Sequence, residues 1–156
     1  MKMILETLKR LIISPEFLVI IVALVVLYLR PEQLSGFANS FYHSSESVKY
    51  IALLPVAVPV WSLRRSQLIL FPDADEDGKV QKWPRFRDLK VAVFVGLIYQ
   101  FGFGIVSIIV WIELSEENIL MQMIILIFAI LGSIISAGTF YLASIIVMET
   151  LKKNAN

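Results

Sequence analysis

The chain has 156 residues, 58% of them hydrophobic and 17% charged, whereas an ordinary soluble domain carries about 25% charged residues. Its 14 basic and 13 acidic residues leave a net charge of +1, which argues against a direct nucleic-acid partner, since that footprint needs clustered, uncompensated cations. With no cysteine and a single histidine, His43, the chain has no disulfide, no thiolate metal site and little scope for imidazole chemistry. A mean hydropathy of +0.77 makes lipid its expected solvent. The predicted fold is an all-α integral membrane protein: a four-helix transmembrane bundle with a short N-terminal amphipathic helix and one cytoplasmic loop.

Residues 1–13 put Ile4, Leu5, Leu8, Leu11 and Ile12 on one helical face, with Lys2, Glu6, Lys9 and Arg10 mostly on the other. This pattern predicts an interfacial helix lying among headgroups. A signal peptide would also place basic residues before an apolar run, but no small-x-small cleavage site follows Leu29. Ser14-Pro15-Glu16 has the order of a helix start: a hydroxyl that accepts from an orphan amide, a proline in the first turn, and an acid at the positive dipole end. The first span is therefore set at 14–30, with Glu16 read as a capping carboxylate near the cytoplasmic interface.

Residues 30–47 read as an exterior loop, with Phe37, Phe41 and Tyr42 at the interface and His43 an ordinary loop residue. The second span, 47–63, contains Pro55 and Pro59, each of which removes a backbone donor and bends the helix. Irregular backbone at membrane depth must be covered by protein or face water, so the span is read as a kinked packing helix, with Pro55 and Pro59 pore-lining candidates in the alternative. Residues 64–90 form the one sizeable cytoplasmic loop. The third span is 91–112, the acidic turn Glu113-Leu114-Ser115-Glu116-Glu117-Asn118 follows, and the fourth span is 119–148 with a cytoplasmic tail at 149–156. At 30 residues the last apolar run would reach about 45 Å as a helix. It is expected to tilt, to bend near Gly132 or Gly138, or to project from the bilayer.

Charge converts the span count into an orientation. The N-terminal arm, the 64–90 loop and the tail hold all but two of the 14 basic residues, the exceptions being Arg30 and Lys49 on the opposite side with Glu32, Glu46, Glu113, Glu116 and Glu117. The positive-inside rule then puts both termini and the middle loop in the cytoplasm. A bacterial inner membrane is expected from the size and simplicity of the chain.

Within the 64–90 loop, Asp73, Asp75 and Asp77 followed by Gly78 match the first half of a calcium loop. The second half fails, since Pro84 stands where the bidentate Glu is needed, and a solvated acidic turn is the preferred reading, with no metal or other cofactor expected. Arg64, Arg65, Lys82, Trp83, Arg85, Phe86 and Arg87 suit docking, either to a cytoplasmic protein, for which Trp and Arg are common anchors, or to anionic headgroups, at about 1 kcal/mol per juxtamembrane cation. In the spans, Gly96, Gly102, Gly104 and Ser107, then Ala129, Gly132, Ser133, Ser136, Ala137, Gly138 and Ser144, form small-residue stripes of the kind that let helices approach closely in lipid. Gln100, near the middle of the third span, is expected to bond across helices or to line a water path.

No phosphate loop, metal-binding helix pair, Ser-His-Asp set or intramembrane acid pair is present, so no catalytic residue is assigned and an enzyme is not expected. The reading is a non-catalytic, self-associating membrane subunit with a cytoplasmic protein partner. The alternative is a homo-oligomeric ion channel or membrane-permeabilising effector using Gln100, Pro55 and Pro59, and a small transporter or membrane enzyme is the weaker third. In general build alone the chain is similar to the small four-span membrane subunits of bacterial anti-phage systems. That likeness implies antiviral defence beside a cytoplasmic protein and covers architecture, not residues.

Overall fold

The structure is a computed structural model describing residues 9–29, 50–71, 79–113 and 119–153. Among these residues the regular structure is all helical: α1 (Pro15–Leu29), α2 (Leu54–Leu70), α3 (Lys79–Lys82), α4 (Phe86–Glu113) and α5 (Ile119–Lys153). Residues 9–13 and 50–52 are helical as well. Two helices, α4 and α5, are long and apolar enough to cross a membrane, and α1 is a shorter apolar helix.

The start of α1 forms as its sequence dictates. Ser14 Oγ accepts from the Phe17 amide at 3.2 Å and donates to the Leu11 carbonyl at 3.1 Å, so one hydroxyl joins residues 9–13 to α1. At α2 the outcome differs from the expected span of 47–63. Residues 50–52 end in a turn at Leu53, and the helix restarts at Leu54 and runs to Leu70. Pro55 is therefore not a mid-helix bend. It occupies the first turn, where its missing amide costs nothing, while the Val56 amide donates to the Leu53 carbonyl at 3.1 Å. Pro59 alone lies inside the helix.

The 64–90 segment is helical at both ends. α2 passes through Arg64 and Arg65 because its buried stripe continues: Pro55, Pro59, Ser62, Ser66 and Ile69 recur at alternating spacings of four and three, which keeps one face against its neighbours. It stops at Phe71 (φ −140°, ψ 67°), the residue before Pro72, where proline disfavours helical geometry. α4 begins five residues before the expected third span, with the Phe86 amide donating to the Trp83 carbonyl at 2.9 Å. α5 extends through Glu149 to Lys153, so the expected tail is largely helical, and it runs unbroken past Gly132 and Gly138.

α4 is the central element, and its contacts give the directions of the others. Ser107 bonds to Ala52, Gly104 lies against Pro55, and Val93 clusters with Ile69, so α2 runs antiparallel to α4. Val110 packs with Met123 and Leu126, and Val93 with Phe140 and Val147, so α5 is also antiparallel to α4. Leu11, Phe17 and Ile20 pack on the cluster of Val91, Val95, Tyr99, Phe103 and Ala129, and α1 lies against α5. These directions bring Lys9, Arg10, Arg64, Arg65, Lys82, Arg85, Arg87 and Lys90 into one half of the bundle, together with the Lys152–Lys153 end of α5. Glu113 lies at the opposite end.

Candidate functional site

The interior holds a polar seam. Gln100 is 0% exposed and its Nε2 donates to the Ser133 carbonyl at 3.0 Å. Ser107 Oγ donates to the Ala52 carbonyl, and Ser136 Oγ to the Gly96 carbonyl at 3.4 Å. Tyr99 Oη reaches the Leu11 carbonyl at 2.5 Å, and Gln122 Nε2 the Glu113 carbonyl at 2.6 Å. Each bond links a side chain of one segment to the backbone of another. Other buried hydroxyls bond within their own helix, Ser66 to the Leu63 carbonyl and Ser144 to the Tyr141 carbonyl, both at 2.7 Å.

The seam is incompletely satisfied. Gln100 Oε1, Ser133 Oγ, Ser62 Oγ and Arg65 Nε are buried without a hydrogen-bond partner among the described residues. Such orphans carry a desolvation cost of about 1–3 kcal/mol each. The Arg65 guanidinium lies 6.0 Å from the centre of the Tyr141 ring, at the outer limit of a cation–π contact.

Glycines create the close approaches. A Cβ on Gly96 would stand 2.8 Å from the Phe140 ring, one on Gly104 would meet the Pro55 carbonyl at 3.3 Å and Pro59 Cγ at 3.5 Å, and one on Gly132 would collide with the Phe103 ring. Ser133 and Ser136 are buried with them and Ala137 is half-buried. Gly102 and Gly138 do not share this role within the chain, because both face outward with open space where a Cβ would be. Gln100, Pro55 and Pro59 are buried between helices.

At the basic end Trp83 and Phe86 are half-buried, whereas Arg64, Lys82, Arg85 and Arg87 are exposed. Phe86 packs against the cluster of Ile69, Val93, Phe140 and Val147, which ties the Trp83-Pro84-Arg85 turn to the ends of three helices. Arg10 pairs with Asp88 at 3.3 Å, with side chains 41% and 53% exposed, so the pair itself adds little stability. His43, Asp73, Asp75 and Asp77 lie outside the described residues, as do residues 1–8, Arg30, Lys49 and the turn at 114–118.

Two features escaped the sequence reading. One is the α2 stripe of Ser62 and Ser66, legible in principle from its alternating spacing. The other is the junction of Arg10, Ser14, Glu16 and Tyr99, which depends on a contact between residues 88 positions apart. The chain matches no family model, and neither a curated protein nor a solved structure is similar to it.

Proposed function

We propose that the chain is a membrane-embedded, non-catalytic subunit of four spans with both termini cytoplasmic, which self-associates and docks a cytoplasmic protein through the 64–90 region. The observation that carries this reading is the contrast between an apolar outer wall and a basic, aromatic end. Phe94, Ile98, Ile105, Ile112, Ile134 and Leu142 are among the large apolar side chains exposed on α4 and α5. Soluble monomers rarely expose contiguous apolar patches beyond a few hundred Å², whereas in hydrocarbon such a surface is already in its preferred solvent.

Helix direction supports the span count, since α2 and α5 both run against α4, as successive crossings from α2 onward require. Concentration of the described basic residues in one half supports cytoplasmic placement of that half. Docking is supported by the tethering of the Trp83–Arg87 turn through Phe86, which presents Arg85 and Arg87 from a fixed base at low entropic cost. Self-association is supported by Gly102 and Gly138, whose open outward faces allow close approach of a second copy.

The test is crosslinking in intact membranes followed by purification in mild detergent. A soluble partner should be recovered with the wild-type chain and lost with Trp83→Ala or Arg85→Ala, while the apparent mass of the membrane oligomer stays unchanged. Recovery of no partner, or of the same partner with both variants, would overturn the docking role.

A channel is the second reading, favoured by the orphan polar atoms of Gln100, Ser133 and Ser62. Ion flux through the purified protein in liposomes, abolished by Gln100→Leu and unaffected by Trp83→Ala, would establish it over the docking subunit.

A further inference from the structure

We infer that the junction between residues 10–16 and the paired helices α4 and α5 is a binding site for one phospholipid with a zwitterionic, primary-amine headgroup of the phosphoethanolamine class. This inference rests on the membrane reading above. A cleft of about 230 Å³ opens there, its wall including Arg10, Ile13, Glu16, Ala92, Val95 and Thr139. Its wall combines an apolar part, from Ile13, Ala92 and Val95, with one cation and one anion.

The anion is the decisive feature. Glu16 is 3% exposed, lines the cleft, and has no ion-pair partner among the described residues. A buried carboxylate without a countercharge is expensive, and as an early residue of α1 its side chain is directed back toward the helix start, on the side of Arg10. Arg10 engages Asp88 through one terminal nitrogen. Its planar guanidinium has five N–H donors, so others remain for a phosphate.

Complementarity selects among headgroups. A purely anionic lipid would satisfy Arg10 but set a second negative charge beside Glu16. A quaternary ammonium carries the right charge but no N–H to donate. A primary ammonium supplies three donors for the carboxylate while its phosphate faces Arg10.

The experiment uses the full chain, purified in mild detergent and incubated with equal amounts of phosphatidylethanolamine, phosphatidylcholine and phosphatidylglycerol of matched acyl chains, with bound lipid read by native mass spectrometry. Retention of the ethanolamine lipid should exceed that of each of the others by about tenfold, the worth of one charge-assisted hydrogen bond. Glu16→Gln should erase that preference, and Asp88→Asn, which removes only the exposed partner of Arg10, should leave it intact. Equal retention of the ethanolamine and choline lipids, a preference for the glycerol lipid, or an unchanged preference in Glu16→Gln would each overturn the site. A thermal midpoint for Glu16→Gln at or above that of wild type ensures that a lost preference is not lost folding. Extraction of membranes with alkaline carbonate separates the premises: release of the chain sinks the membrane reading and the site with it, whereas retention without lipid preference sinks only the site.

Discussion

Gln100 shows how a residue can be singled out by its sequence position yet have its role decided by its neighbours. A lone amide amid apolar residues is conspicuous, and it does cross between helices, but its Oε1 and the adjacent Ser133 hydroxyl remain unpaired. The orphan penalty opposes the gain from the Nε2 bond, so Gln100→Leu and Ser133→Ala are expected to leave the unfolding midpoint in detergent unchanged or higher. Ser107→Ala, by contrast, removes a bond to the Ala52 carbonyl without relieving an orphan. It should cost about 0.6–1.7 kcal/mol, the range for interhelical side-chain bonds in lipid. A large loss of stability in Gln100→Leu would show that Oε1 is satisfied by bound water, and the two-sided account of this residue would fail.

At the scale of the element, α2 and α4 meet through the smallest side chains available. Gly104 faces the Pro55 carbonyl and the Val56 Cα, atoms fixed in backbone, so the neighbour cannot turn aside as a side-chain tip can. Gly104→Leu is expected to destabilise the chain by about 1–3 kcal/mol, the usual cost of overpacking. Gly102→Leu, two residues along on the open face, should change monomer stability by less than about 0.5 kcal/mol but weaken self-association, read as a shift in apparent mass by light scattering. If both variants unfold alike, the assignment of the two faces is wrong. The existence of α1, α4 and α5 was legible in their uninterrupted apolar runs and in the Ser14-Pro15-Glu16 start. The extent of α2 was less so, because Arg64-Arg65 reads as a stop when hydropathy alone is considered. Helices end where packing and backbone chemistry end, and here burial of Ser66 and Ile69 carries the helix past the charges to the residue before Pro72.

For the molecule as a whole, the distribution of charge is a prediction about topology. A reporter active only in the cytoplasm should work when fused after Asn156 and within residues 72–78, and should fail within residues 31–49. Activity at the last position, or silence at either of the first two, would contradict the proposed orientation. The basic residues are scattered through the sequence, yet the antiparallel arrangement of α4 with α2 and α5 collects the described ones into one half of the bundle. That gathering depends on an alternation of helix direction.

Composition and periodicity were sufficient to establish a helical, apolar chain with segments able to cross a membrane, because those properties are local: each follows from the residues within a turn or two. Pairing is not local. That Phe103 lies on Gly132 while Gly102 and Gly138 look outward, that Gln100 is fully buried, and that Glu16 is buried beside an open cleft with Arg10 all depend on rotation of one helix against another. The stripes of small residues permitted several such rotations, since Gly, Ala and Ser occur on more than one face of α4 and α5. Only the fit of particular side chains, Phe140 over Gly96 and Pro59 against Gly104, selected one, because bulky rings and a rigid proline tolerate few arrangements in a close-packed interior.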